Sequence, residues 1–326
     1  MRPRAILWFS LPAILLGSIL FSGCGSTNHK DLWGGTAKKR VLTSIVPLYC
    51  FAATVAGNDA EVRCLLTTTG PHDFEPSIHD AKLLSSADLF IVNGLGLEGF
   101  ADRLIHTAGN SHLKVCRAAE RIPRELILST PGQTHYHGAK LVTHDPGDDP
   151  HAWLGIETAK AQVDAICAAL VEIDPPHAAG YQERAEKFKV ELDKLRTGTS
   201  DLKTKVEGGL VTFHDSFRYF CKSFDIPLAG TIRGLKGEDI SPAELTKQAN
   251  EYREKKVRLI SIEPQYPHKV AESLREAINR PDVKLVELDP LETGPCAPDN
   301  AYVADPNYYL TKMKQNVENI RRALEQ

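Results

Sequence analysis

The stretch GLVTFHDSFRYF, Gly209 to Phe220, runs from a continuous apolar segment into His214 and Asp215 with no turn residue between them. A short apolar run that does not alternate with polar residues reads as a strand buried on both faces, as in parallel sheets covered by helices. The end of such a strand is where open parallel sheets place ligand-binding residues.

Downstream the pattern repeats in IPLAGTI (226–232), VRLISIE (257–263) and VKLVELD (283–289), with helix-like stretches between. Upstream it appears as RVLTSIV (40–46), EVRCLLTTT (61–69), DLFIVNG (88–94) and LKVCRAA (113–119). Segments such as SIHDAKLLSSA (77–87) separate these runs, with helical apolar spacing at Ile78, Ala81 and Leu84. Strand and helix in alternation predict an α/β protein of two lobes, each a mostly parallel sheet with flanking helices. Between the lobes, Pro175 to Glu207 carries apolar residues at 181, 185, 188, 192 and 195, steps of four and three that make one stripe. This predicts one long, stiff linking helix over 175–207, bent near TGTS at 197–200. The lobes then cover 40–174 and 208–326.

The first residues read differently. A basic start, MRPR, precedes the apolar run Ala5–Phe21 and then SGC, which is an export-signal pattern. FSGCGS (21–26) resembles a bacterial lipobox, although Phe21 departs from the usual leucine, and this implies a signal at 1–24 with lipidation of Cys24. Small polar residues over 25–39 then form a flexible tether behind a membrane anchor. Such a chain is exported, to the periplasm or the outer face of the cytoplasmic membrane. Six further cysteines (Cys50, Cys64, Cys116, Cys167, Cys221, Cys296) permit disulfides there without specifying which, and no CxxC occurs. The net charge of -3, with both signs mixed along the chain, excludes a nucleic-acid footprint.

The residues just past the strand ends include His72 after the second strand, and His214 and Asp289 after strands of the second lobe, while His151 stands in DDPHAWLG near the end of the first lobe. Three imidazoles and a carboxylate, two from each lobe, make a metal-ligand set without thiolate, suited to zinc and adaptable to manganese or iron. Taken singly, each residue reads more often as an ordinary loop histidine or a turn aspartate before proline, and it is the four together that point to a metal.

Six motifs together carry a resemblance: GPHDFEPS (70–77), NGLGLEGF (93–100), DPHAWLG (149–155), FHDSFRYF (213–220), SPAEL (241–245) and LDPLE (288–292). In order and spacing they resemble the zinc/manganese solute-binding proteins of bacterial ABC transporters, the TroA-like family 9, over residues 40–326. The resemblance implies one divalent transition metal in the cleft between the lobes, held by His72, His151, His214 and Asp289. Zinc is favoured by the histidine at 214, with manganese and iron(II) left open. It also implies a non-enzymatic receptor working with a permease and its ATPase subunit; nothing in the sequence points to an oligomer, so a monomer is the default. His135, His137 and His144, with nearby aspartates, resemble a short form of the family's metal-gathering loop, and read equally as a polar surface loop. Gly155–Ile156 departs from the family's usual Asp-Pro after DPHAWL and leaves the support of His151 open. Glu75 and Asp215 are candidates to orient the imidazoles. Two other classes remain: a surface adhesion protein with a structural metal, and a metallohydrolase, which the lack of HExxH disfavours.

Overall fold

The structure, a computed structural model, describes residues 33, 35, 37–72, 74–130, 133–137, 140–144, 147–232, 241–298 and 300–325. The export signal, Cys24 and most of the tether lie outside the described residues. No helix among the described residues is long and apolar enough to cross a membrane.

Residues from Thr36 onward form one unit built on two four-stranded parallel sheets. In the first, strands lie in the order Ala60–Leu66, Lys39–Ile45, Leu89–Val92, Lys114–Arg117. In the second the order is Leu228–Thr231, Leu210–Thr212, Leu259–Ile262, Lys284–Glu287. Each sheet thus repeats one topology, second-first-third-fourth, in which right-handed crossovers put helices on both faces. The strand at Leu210–Thr212 is buried at every position, which accounts for its unbroken apolar sequence. A core of Val211, Tyr252, Val257, Ile260, Leu274 and Ile278 seals the second sheet. The first is packed by the apolar helix Val46–Ala56 and the helix Ile156–Ile173.

The expected apolar stripe of the linking segment is present: Tyr181, Ala185, Phe188, Leu192 and Leu195 are all buried. The helix itself is Ala178–Lys194, shorter than the span expected from sequence, with a 3-10 turn at Pro175–His177 before it. Past Lys194 the Leu195, Arg196 and Thr197 amides donate three residues back, Gly198 then takes φ +71 in TGTS, and the short turn Leu202–Lys205 comes after it. A second connection is made by the C-terminal helix Tyr308–Glu325, since the Tyr309 ring meets Phe51 edge-on at 4.7 Å and its hydroxyl donates to the Trp153 carbonyl at 2.6 Å. The Trp153 indole in turn donates to the Pro290 carbonyl at 2.8 Å.

Entry into the strand before His214 depends on Gly208, at φ +77, whose missing side chain leaves room for the Lys256 carbonyl. Gly208→Ala combines a left-handed backbone with a collision against main chain, and should cost about 1–3 kcal/mol, lowering Tm by roughly 3–10 °C. Calorimetry of the variant checks this, and an unchanged Tm would contradict the packing described.

Candidate metal centre

His72 lies beyond the strand Ala60–Leu66, His151 opens the turn Ala152–Leu154, and His214 lies beyond Leu210–Thr212. The structure brings these three together. The His151 and His214 rings lie 4.9 Å apart, and His72 stands 6.2 and 6.0 Å from them. The fourth group is Glu292, and one ligand atom from each of the four lies within 4.8 Å of all the others. Glu292 approaches the His151 Nε2 to 3.7 Å, and the Nε2 atoms of His151 and His214 are 3.3 Å apart.

Asp289, the carboxylate expected from sequence, is elsewhere. Its Oδ1 accepts from the Leu291 amide at 2.8 Å, its Oδ2 accepts from the Tyr308 hydroxyl at 3.0 Å, and Lys312 stands 3.6 Å away. The Asn316 side chain holds its backbone from both sides. Asp289 lines a separate cavity of about 230 Å³ with Lys312 and Asn316. The physical reason lies in the turn it builds: Leu291, buried at φ +60, reverses the chain so that Glu292 reaches the histidines. A left-handed leucine costs about 1–2 kcal/mol and is held by the Asp289 hydrogen bond and its own burial.

Each arm of the site has an anchor. Asp149, buried, accepts from both the His151 amide at 3.0 Å and its Nδ1 at 2.8 Å. With the proton of the neutral ring drawn to Nδ1, the Nε2 lone pair faces Glu292 and His214, the orientation a metal requires. Upstream, the Asn93 side chain donates to the Pro150 carbonyl at 2.9 Å, while the Asn93 and Gly94 amides donate to buried Glu98. His214 is held from below by Glu263, which accepts from the Phe213 amide at 2.8 Å and the Ser261 hydroxyl at 2.7 Å. The loops carrying His72 and Glu292 are joined where the Gly294 amide donates to the Thr67 carbonyl at 2.6 Å.

Of the two orienting candidates from sequence, Glu75 pairs with Arg103 on the surface, whereas Asp215 accepts from Arg218 at 3.1 Å beside the centre. Sequence reasoning missed Asp149, Glu98 and Glu263. An acid two residues before a candidate ligand, as in DDPH, is the one signal that marks any of them. The segment expected as a histidine-bearing loop is a hairpin, Gln133–His137 with Lys140–His144. Its register sets Gln133 opposite His144, His135 opposite Val142 and His137 opposite Lys140. The six cysteines are free, and burial pushes the Cys50 and Cys221 thiols up to about 12, so neither supplies a thiolate.

Comparison with known proteins agrees with this architecture. A family model described as zinc-uptake complex component A, periplasmic (ZnuA), matches residues 41–323. The chain belongs to that family. Among its relatives, the high-affinity zinc uptake system protein ZnuA of Bacillus subtilis is 26% identical over 325 residues, 97% of this chain and 98% of that protein. The manganese ABC transporter substrate-binding lipoprotein PsaA of Streptococcus pneumoniae is 23% identical over 321 residues, again 97% and 98%. Of solved structures, FpvC of Pseudomonas aeruginosa in complex with Mn2+ superposes with a TM-score of 0.71 at 23% identity, covering 88% of this chain and 99% of that one. The laminin-binding adhesin Lmb of Streptococcus agalactiae gives 0.69 at 26% identity, covering 88% and 99%. This ZnuA-family chain therefore shares the two-sheet fold of its relatives across nearly its whole described length.

Charge in the centre is finely balanced. Burial opposes a proton on His151, but the hydrogen bond and charge of Asp149, joined by Glu292 and Asp215, outweigh it and hold the ring above the usual histidine range. Burial foremost, with the charge of Glu292, pushes Glu263 up to about 8. Its Oε2 meets no hydrogen-bond partner among the described residues, which suits a neutral acid. Burial likewise raises Glu98. A group whose folded pKa is raised contributes stability below its unfolded value and loses it as pH rises through the folded one. For Glu263 that window runs from about 4.3 to about 8, and for His151 it opens near 6.5 and extends upward. The Tm of the metal-stripped protein should therefore fall between about pH 6 and 8.5, where the unfolded chain binds fewer protons. Glu263→Gln should flatten the slope. Calorimetry across this range checks both, and a Tm that rises with pH would contradict the assignment.

Proposed function

We propose that this ZnuA-family protein is the extracytoplasmic receptor of an ABC importer, capturing one divalent transition metal at His72, His151, His214 and Glu292 and delivering it to a permease driven by its ATPase subunit. The observation that carries the reading is the convergence of three imidazoles and one carboxylate, drawn from segments that follow strands of both parallel sheets. Such a donor set, nitrogen-rich and without thiolate, favours zinc, and also accommodates manganese or iron(II). The metal is cargo, and its four protein ligands leave no position for a reacting water, so the site binds rather than catalyses. Export and lipid attachment through Cys24, with the segment ahead of the strand Lys39–Ile45 as the tether of a monomeric receptor, complete the proposal. An outer collecting role for His135, His137 and His144 belongs to the same proposal.

A second reading, adhesion with a structural metal, is favoured by the likeness to the laminin-binding adhesin Lmb. The two separate: a receptor with its own packed sheets stays folded when stripped with chelator, whereas a structural metal is lost together with the fold.

Titration of the stripped protein with Zn2+, Mn2+ and Fe2+ tests the assignment. Wild type should bind one equivalent tightly in the cleft. His214→Ala and Glu292→Ala should weaken it by at least about 100-fold, more than an outer-sphere loss costs, while Asp289→Ala keeps one tight equivalent. Tight binding that survives Glu292→Ala but not Asp289→Ala would overturn the ligand set, and no stoichiometric binding at all would overturn the receptor reading.

A further inference from the structure

Three side chains of the helix Arg218–Ser223, which begins four residues after His214, reach across to the His151 arm. The Tyr219 hydroxyl, on a residue only 2% exposed, accepts from the Leu128 amide at 3.0 Å and donates to the Asp149 carbonyl at 2.9 Å. Asp149 is the residue whose carboxylate sets both the amide and the ring of His151. One helical turn along, the Ser223 hydroxyl accepts from the Ile156 amide at 2.9 Å and so caps the helix Ile156–Ile173. Arg218 lies 3.1 Å from Asp215 and 4.0 Å from Asp149. The contact is close because residue 155 is glycine: a Cβ there would stand 3.0 Å from the Tyr219 Cβ and 2.5 Å from the Thr158 Oγ1. Gly155, at φ -96, is kept by this approach and not by backbone strain.

We propose that Tyr219 is a positioning residue for the metal centre, a hydroxyl pin seated against Gly155 that fixes the spacing of His151 and His214. The inference rests on the receptor reading above and deepens it. Two ligands from different sheets are bound to one another before metal arrives, so the cation meets a half-site already formed. Gly155 is then the notch that admits the pin. The proposal also divides the centre into two pairs, His151 with His214 through Tyr219, and His72 with Glu292 through the Gly294–Thr67 hydrogen bond.

The test uses Tyr219→Phe, which removes the hydroxyl and keeps the ring, with Tyr181→Phe as a control. Tyr181 also buries a hydroxyl, bonded to Asp174 at 2.5 Å, in the first turn of the linking helix. Three readouts are taken: Zn2+ affinity by chelator competition, the visible absorption of the Co2+-loaded protein as a signature of ligand geometry, and the Tm of the stripped protein. Tyr219→Phe should weaken Zn2+ binding by about 10–100-fold and shift the Co2+ bands. Tyr181→Phe should lower Tm and leave affinity and bands in place. Gly155→Ala, which displaces the pin from the opposite side, should act as Tyr219→Phe does, and the double variant should lose little more than either alone. If Tyr219→Phe does not fold, Gly155→Ala decides on the same readouts. Wild-type affinity and an unshifted Co2+ spectrum in a folded variant would overturn the pin, whereas failure of the wild type itself to bind Zn2+ would overturn the receptor reading beneath it.

Discussion

Four ligand atoms from four separate chain segments lie within 4.8 Å of one another, and holding them there is the constraint that the surrounding structure serves. Polar groups so close in a largely buried place lose water, and each must recover hydrogen bonds or meet a cation. The anchors around them are mostly buried carboxylates, each accepting from more than one donor: Asp149 beneath His151, Glu263 beneath His214, and Glu98 beneath the Asn93 loop that steadies Pro150. Backbone amides are the commonest donors among these contacts. That choice matters, because an amide fixes the course of the chain, and the course of the chain places the imidazole.

The duplicated sheet explains why such a centre is available. Both sheets run second-first-third-fourth, so both present the carboxyl ends of their strands as an open edge. Facing those edges puts ligands from different strands within reach across a short gap. Connections across the gap are numerous: the C-terminal helix against Phe51 and Trp153, the Trp153 indole on Pro290, the Gly294 amide on Thr67, and the helix after His214 against Asp149 and Ile156. A protein tied in this way holds its ligands near their bound spacing, which lowers the ordering cost of capture.

Much of the fold was legible because its central strands are largely buried and all eight write themselves as short apolar, β-branched runs. All eight strands of the two sheets coincide with the apolar runs of the sequence, their ends agreeing to within three residues. The linking stripe was legible for the same reason, whereas the end of its helix was not, since TGTS marks a bend and gives no length. The three histidines stood out as residues beyond strand ends or inside motifs. Glu292 did not, because its approach depends on a left-handed leucine, and nothing in LDPLE shows that Leu291 takes φ +60. Asp289 has the sequence of a turn former before proline, and a turn is what it makes. The carboxylate anchors were hidden for a different reason: most of their partners are main-chain amides, which have no letter in the sequence.

Everything above turns on where the cargo sits, and diffraction from crystals of the zinc-loaded protein, collected on both sides of the zinc absorption edge, locates it. One strong anomalous peak is expected, bonded to His72, His151, His214 and Glu292 at nitrogen and oxygen distances of about 2.0–2.2 Å. A peak in the cavity beside Asp289 and Lys312, or a centre from which Glu292 is missing, would contradict the ligand set.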